Sequence, residues 1–214
     1  MPQLKHKLRR GAAACAAAPK FNSRRIFMLV SDVIKTALAL LDRQDVADMV
    51  SSQTYSSDEE ASRLVGALLH CFNAVEDELA RGFFPLETEE TLVASGGKIY
   101  YTAFSETPVK ILSLTSGGKE IDHVICPKYI EVKAGAYSVK YVFAPSKKEL
   151  DGESDFTGYP VGERLMAYGI ASEYCLISGD IGQAESWESR YRAEIERLRP
   201  CPAAKCMGTG RYWV

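Results

Sequence analysis

The amino-acid sequence predicts an α+β fold: a four-helix bundle built from two helical pairs, with an antiparallel β-sheet inserted between helices two and three. Three observations carry this. Apolar residues recur at spacings of three and four in the first and last thirds of the folded chain, the period of an α-helix. Between them the period drops to two, over short runs rich in β-branched and aromatic residues. Turn residues separate those runs, and a polar, glycine-containing stretch, "PSKKELDGESDFTGYP", leads back to helix.

Helix one spans about Leu29 to Leu41, with Val30, Val33, Ile34, Ala37, Leu38 and Leu41 on its apolar face. "DRQDVADMV" adds a turn before the polar break "SSQTYSS". Helix two opens on a capping box, Ser57 with Glu60, whose side chains satisfy free N–H groups. Its stripe is Leu64, Val65, Leu68, Phe72, Val75 and Leu79, with Gly82 as C-cap and Pro85 barring continuation. The β runs are "TLVAS", "KIYYTAF", "VKILSLT", "KEIDHVI", "KYIEVKA" and "YSVKYVFA", read as one sheet of about five or six strands. Lys128 to Ala144 reads as a hairpin turning at Gly135. Pro160 opens helix three, with Val161, Leu165, Tyr168, Ala171 and Cys175 on one face. Gly179-Asp180 ends it, and helix four follows with Ala184, Trp187, Tyr191, Ile195 and Leu198 in a stripe until Pro200. The expected bundle core is Leu64, Leu68, Phe72, Leu165, Trp187, Tyr191 and Leu198.

The units are therefore 1–27, a basic segment; 28–85, helical pair one; 86–150, the β insertion; 158–200, helical pair two; and 201–214, a tail. Residues 1–27 hold seven Lys/Arg and no acid, so the rest of the chain carries a formal charge of −9 out of a total of −2. The basic segment reads either as a disordered arm or as an extension upstream of a start at Met28, where composition changes abruptly. An acidic body argues against general nucleic-acid affinity, which needs clustered positive charge. Six scattered cysteines form no CxxC pair, which favours free thiols over a zinc site. No run approaches the roughly 20 apolar residues of a membrane span.

Candidate chemistry is sparse. "SGGK" occurs at Ser95–Lys98 and Ser116–Lys119, but strand-like sequence follows each copy, so both read as β-turns and not as phosphate loops. His70 and Cys71 are adjacent on a helix and point about 100° apart, so they make no catalytic pair. His123 and Cys126 have no third ligand nearby. Glu76–Glu78 and Glu87–Glu90 read as solvated faces. No catalytic, metal or cofactor residues are assigned.

The segment "YPVGERLMAYGIASEYCLISGDIGQAESWESRYRAEIERL", with "LLHCFNAVEDEL" before the β runs and "GRYWV" after, resembles the head–tail connector (adaptor) proteins of tailed bacteriophages and prophages. The shared elements are Pro160, the Gly179-Asp180 break, Ala184, Trp187, Arg190-Tyr191, Ile195 and Leu198. They extend over about Met28 to Val214. The resemblance implies a non-enzymatic virion protein of the neck, assembled in the host cytoplasm. It implies a ring of copies, twelve-fold being one option, that sits under the portal protein and carries packaged DNA through without sequence-specific binding. It also implies a tail-side partner, the next neck or tail protein, with no membrane and no cofactor. Arg211, Tyr212 and Trp213 are the expected docking residues, because exposed Tyr, Trp and Arg dominate interface energies. Two alternatives compete: another neck or tail part (a stopper or tail-terminator), and a non-viral binding protein or enzyme using the β insertion as a binding wall.

Overall fold

The structure is a computed structural model of the chain and describes residues 27–199. It is α+β, with five α-helices and two antiparallel sheets among these residues. The basic segment up to residue 26 and the tail with Arg211, Tyr212 and Trp213 lie outside the described residues.

The first helical region holds three α-helices where two were expected: α1 (Val30–Leu40), α2 (Gln44–Ser51) and α3 (Glu59–Gly82). The break falls at Asp42, whose φ is +57°, a left-handed conformation that aspartate tolerates better than most side chains. "DRQDVADMV" is therefore a separate helix and not an added turn. The expected Ser57–Glu60 capping box is replaced by an aspartate cap. Tyr55–Ser57 form a 3-10 turn, and the Asp58 side chain accepts the Ala61 N–H at 2.8 Å. Gly82 is the last helical residue of α3, and Phe83 takes the cap position.

Helices α4 (Glu163–Ser178) and α5 (Ile181–Leu198) meet at the Gly179-Asp180 break. Gly179 has φ +86°, the left-handed C-terminal conformation that glycine adopts without a Cβ penalty. The Asp180 carboxylate then caps α5 by accepting the Gln183 N–H at 3.1 Å. Two expectations shift. Helix α4 starts at Glu163, three residues after Pro160, and Val161 is buried ahead of it. Its burial is also not one-sided, since every residue from Leu165 to Ser172 is buried. Helix α4 lies against α1, α3 and α5 together, so its middle is buried on every side.

The strands are β1 (Leu86–Ala94), β2 (Lys98–Tyr100), β3 (Pro108–Ser116), β4 (Lys119–Glu120), β5 (Val124–Ile125), β6 (Tyr129–Glu131) and β7 (Gly135–Phe143). They form two sheets where one was expected, ordered β1-β7-β3-β4 and β2-β6-β5. The Lys128–Ala144 hairpin does not form. β6 pairs with β2 and β5, while β7 runs between β1 and β3. The alternation within each strand is as read: Ile130, Val132, Val139 and Tyr141 are all buried. Both "SGGK" copies are tight turns with two consecutive positive-φ glycines, Gly96-Gly97 and Gly117-Gly118. That is the type I′ pattern matching the twist of antiparallel strands.

Two apolar cores result. The helical body buries one, and Phe84 and Leu86 belong to it. The β-region buries its own, around Ile99, Leu114, Ile130, Val139 and Tyr141. Half-buried Phe143 packs against both.

Candidate functional site

The residues expected to form the bundle core fall in one cluster. Leu64, Leu68, Phe72, Leu165 and Tyr191 are buried within it. Trp187 and Leu198 lie at its border, partly buried. The Trp187 ring stacks on Tyr168 at 5.8 Å between centroids, and the Arg190 guanidinium sits over the indole, 4.8 Å from its centroid. Arg190 and Tyr191 thus have different jobs: one covers the indole, while the other enters the core.

The tightest point of the body is Gly169 on α4. A Cβ there would stand 2.8 Å from Val75 Cγ1 and 2.9 Å from Tyr191 Cε2, so α3, α4 and α5 converge on a hydrogen atom. The Tyr191 hydroxyl donates to Glu78 Oε2 at 3.3 Å. Burial, then the neighbouring Glu78 carboxylate, push the Tyr191 hydroxyl far above the ordinary phenol value. Burial raises Glu78 as well.

A second polar feature was misread in the sequence. Glu76 is 1% exposed and not part of a solvated face. Its Oε1 accepts from Ser154 Oγ at 2.6 Å and from the Asp155 N–H at 2.9 Å, while Oε2 has no partner among the described residues. One helical turn earlier, Asn73 clamps a single backbone unit: its Oδ1 accepts the Lys148 N–H at 2.6 Å and its Nδ2 donates to the Lys148 carbonyl at 3.2 Å. Lys148 in turn pairs with Asp155 at 2.6 Å. The polar stretch after β7 is therefore a strap, stitched to α3 by two side chains three positions apart. The strap also receives the start of the body, since the Val30 N–H donates to Gly152 O and the Ser154 N–H to Met28 O. Burial drives the Glu76 carboxyl above the usual range, against the pull of its hydrogen bonds.

Beside the strap lies an open cleft of about 890 Å³, bordered by Ser31, Lys35, Tyr55, Leu69, Lys147 and Glu149, among others. Its border mixes both charges and presents no convergent set of reactive groups. In the β-region, burial pushes Glu90 up, but bonds from Ser105 and Tyr141 outweigh it and hold the carboxyl below its ordinary range. Burial and the bond to Glu90 push the Tyr141 hydroxyl up to about 12. Cys71 is buried, and burial raises its thiol to about 11, which leaves it protonated and unreactive at neutral pH. His70 is exposed. His123 Nδ1 lies 3.0 Å from the Ile121 carbonyl, and no cluster of three or more metal-ligating side chains occurs among the described residues. No described helix is long and apolar enough to cross a membrane.

Among the described residues, large apolar side chains reach solvent at Phe27 and Leu29 and in two further places. One is the α4–α5 corner, with Leu176, Ile177 and Ile181; the other is the β-region, with Val93, Val109, Val124 and Ile125. The signal for Gly169 was present in the sequence as a lone glycine inside a helical pattern. The signal for the strap was not, because its partners lie 75 or more positions apart. No family model matches the chain, and no curated protein matches it.

Proposed function

We propose that the chain is a structural virion protein, a head–tail connector (adaptor) that forms a ring beneath a portal protein and extends the DNA channel towards the tail. The observation that carries this reading is a division of labour along the chain. A helical body with its own core is interrupted by a β-region with a second core, and each region presents exposed apolar side chains. Such a part is suited to touching neighbours through two separate surfaces. The helical body, with the Gly179-Asp180 break and the Trp187–Tyr191 face, stands for the paired-helix bundle of the resemblance. Helix α2 is an addition to it. The net −9 of residues 28–214 suits a wall that lets DNA slide, because like charge limits adhesion.

In this reading Arg211, Tyr212 and Trp213 dock on the portal, and the next neck or tail protein contacts the other end of the ring. The test is negative-stain electron microscopy of the full chain mixed with the portal protein encoded in the same genome. A ring coaxial with the portal is expected. Removing residues 207–214 should leave the melting curve unchanged and abolish portal capture. A full chain that neither forms rings nor binds portal refutes the proposal.

A further inference from the structure

The four-stranded sheet ends in two free edges of unlike character. β1 is terminal and, among the described residues, pairs only with β7. The Glu87 N–H points away from β7, to the Tyr159 hydroxyl at 3.1 Å, and strand alternation sends those of Glu89, Thr91 and Val93 to the same side. Val93 is 71% exposed. At the other end β4 covers β3 only at Thr115 and Ser116, with one more bond from the Ile121 N–H to the Leu114 carbonyl. Pro108 to Ser113 border β7 on one side and, among the described residues, no strand on the other. Beside that open stretch is an apolar groove of about 260 Å³ lined by Tyr101, Val109, Ile111 and Ile125, among others.

The edges are also opposite in charge. The exposed carboxylates of β1 are Glu87, which also pairs with Lys140, and Glu89, while Glu90 is held by Ser105 and Tyr141; the β3–β4 side carries exposed Lys110 and Lys119, followed by Glu120. Charged edges of this kind resist pairing with their own kind. They do not resist each other.

We infer that the two edges belong together across copies: β1 of one subunit adds to the open stretch of β3 in the next, so that sheets join head to tail. A head-to-tail contact between different patches closes into a ring when the rotation allows. Backbone pairing along an exposed edge supplies affinity, and side chains set the register. Glu87 and Glu89 of one copy then lie along the lysine-bearing side of its neighbour. This deepens the ring reading proposed above and rests on it.

Charge exchange tests the pairing in the full chain, with and without the portal from the same genome. Ring fraction is read by mass photometry and electron microscopy. One variant reverses the β1 edge, Glu87→Lys with Glu89→Lys. A second reverses the β3 side, Lys110→Glu with Lys119→Glu. These residues are on the surface, and circular dichroism and melting curves show whether each variant folds. Each variant alone should lose rings by about tenfold or more, because like charges then face each other across every contact. The chain carrying all four substitutions should regain them, since unlike edges meet again. Rings that persist in both single-edge variants overturn the pairing and leave the ring reading standing. Folded single-edge variants that lose rings without rescue in the combined chain also overturn it. Absence of rings in the unaltered chain under every condition overturns the ring reading, and the pairing with it.

Discussion

Gly169→Ala isolates the tightest contact in the helical body. The added methyl carbon would lie 2.8 Å from Val75 Cγ1 and 2.9 Å from Tyr191 Cε2. Neither neighbour yields cheaply. Val75 is β-branched and stiff at χ1 on a helix, and the Tyr191 ring is buried and tied to Glu78. Overpacking of a dense core costs about 1–3 kcal/mol. Alanine also gains roughly 0.5–1 kcal/mol of helix propensity over glycine, which masks part of that cost. Gly66→Ala on α3 supplies the correction, because a Cβ there meets nothing within 4 Å. The difference between the two variants cancels propensity and leaves the clash, about 1–3 kcal/mol. For a chain of this length that corresponds to about 2–12 °C in melting temperature, Gly66→Ala being the more stable. Thermal and urea unfolding of both variants measure it. Equal stabilities would show that α3, α4 and α5 do not converge at Gly169, and the packing argument would fail.

Glu76→Gln should change how stability depends on pH. Burial holds the Glu76 carboxyl above its usual range, so the folded chain binds that proton more tightly than the unfolded chain. Its contribution is complete below about pH 4.3, the ordinary glutamate value, and is lost as pH rises through the raised folded value. Wild-type stability should therefore fall relative to the glutamine variant as pH rises above about 4.3; a constant difference in urea titrations would contradict this. Trp187→Ala should cost less than the roughly 3–5 kcal/mol typical of a fully buried tryptophan, since the ring is partly exposed. No loss in urea unfolding would assign the indole to a partner instead. Replacing residues 89–140 with Asn-Gly should leave the helical body folded, because Thr88 and Tyr141 face each other in the β1–β7 ladder and a two-residue turn can join them. Loss of the cooperative thermal transition would show that the body depends on the β-region, whereas a folded body that completes no particles fits an assembly role.

Local signals were legible where one residue decides the backbone. Gly179 and Asp180 form a break and a cap from two adjacent positions, and the paired glycines of each "SGGK" set a hairpin turn by their positive φ. The faces of the strands were legible for the same reason, since alternation is a property of one strand alone. Pairing was not. β6 and β7 are separated by a short turn, and nothing local distinguishes a hairpin from two strands that leave for different sheets.

Burial of a charge is the harder case, and Glu76 shows why. Along α3 it sits between Val75 and Asp77, at the edge of the apolar stripe, where a carboxylate costs nothing if water reaches it. Only the strap closing over it, from Lys148 to Asp155, removes that water and supplies a hydroxyl and an N–H in exchange. Asn73 reads the same way, as a polar residue of no special role until a backbone unit 75 positions away presents both a donor and an acceptor to its amide. An amphipathic pattern reports which face is dry when the helix is considered alone. It cannot report that a polar segment will dry the flank of that face, because a chain segment with few apolar residues carries no periodic sign of where it lies. The strap residues show their role only through their partners on α3, and for the same reason the edges of the four-stranded sheet can be tested only by changing both sides of the contact together.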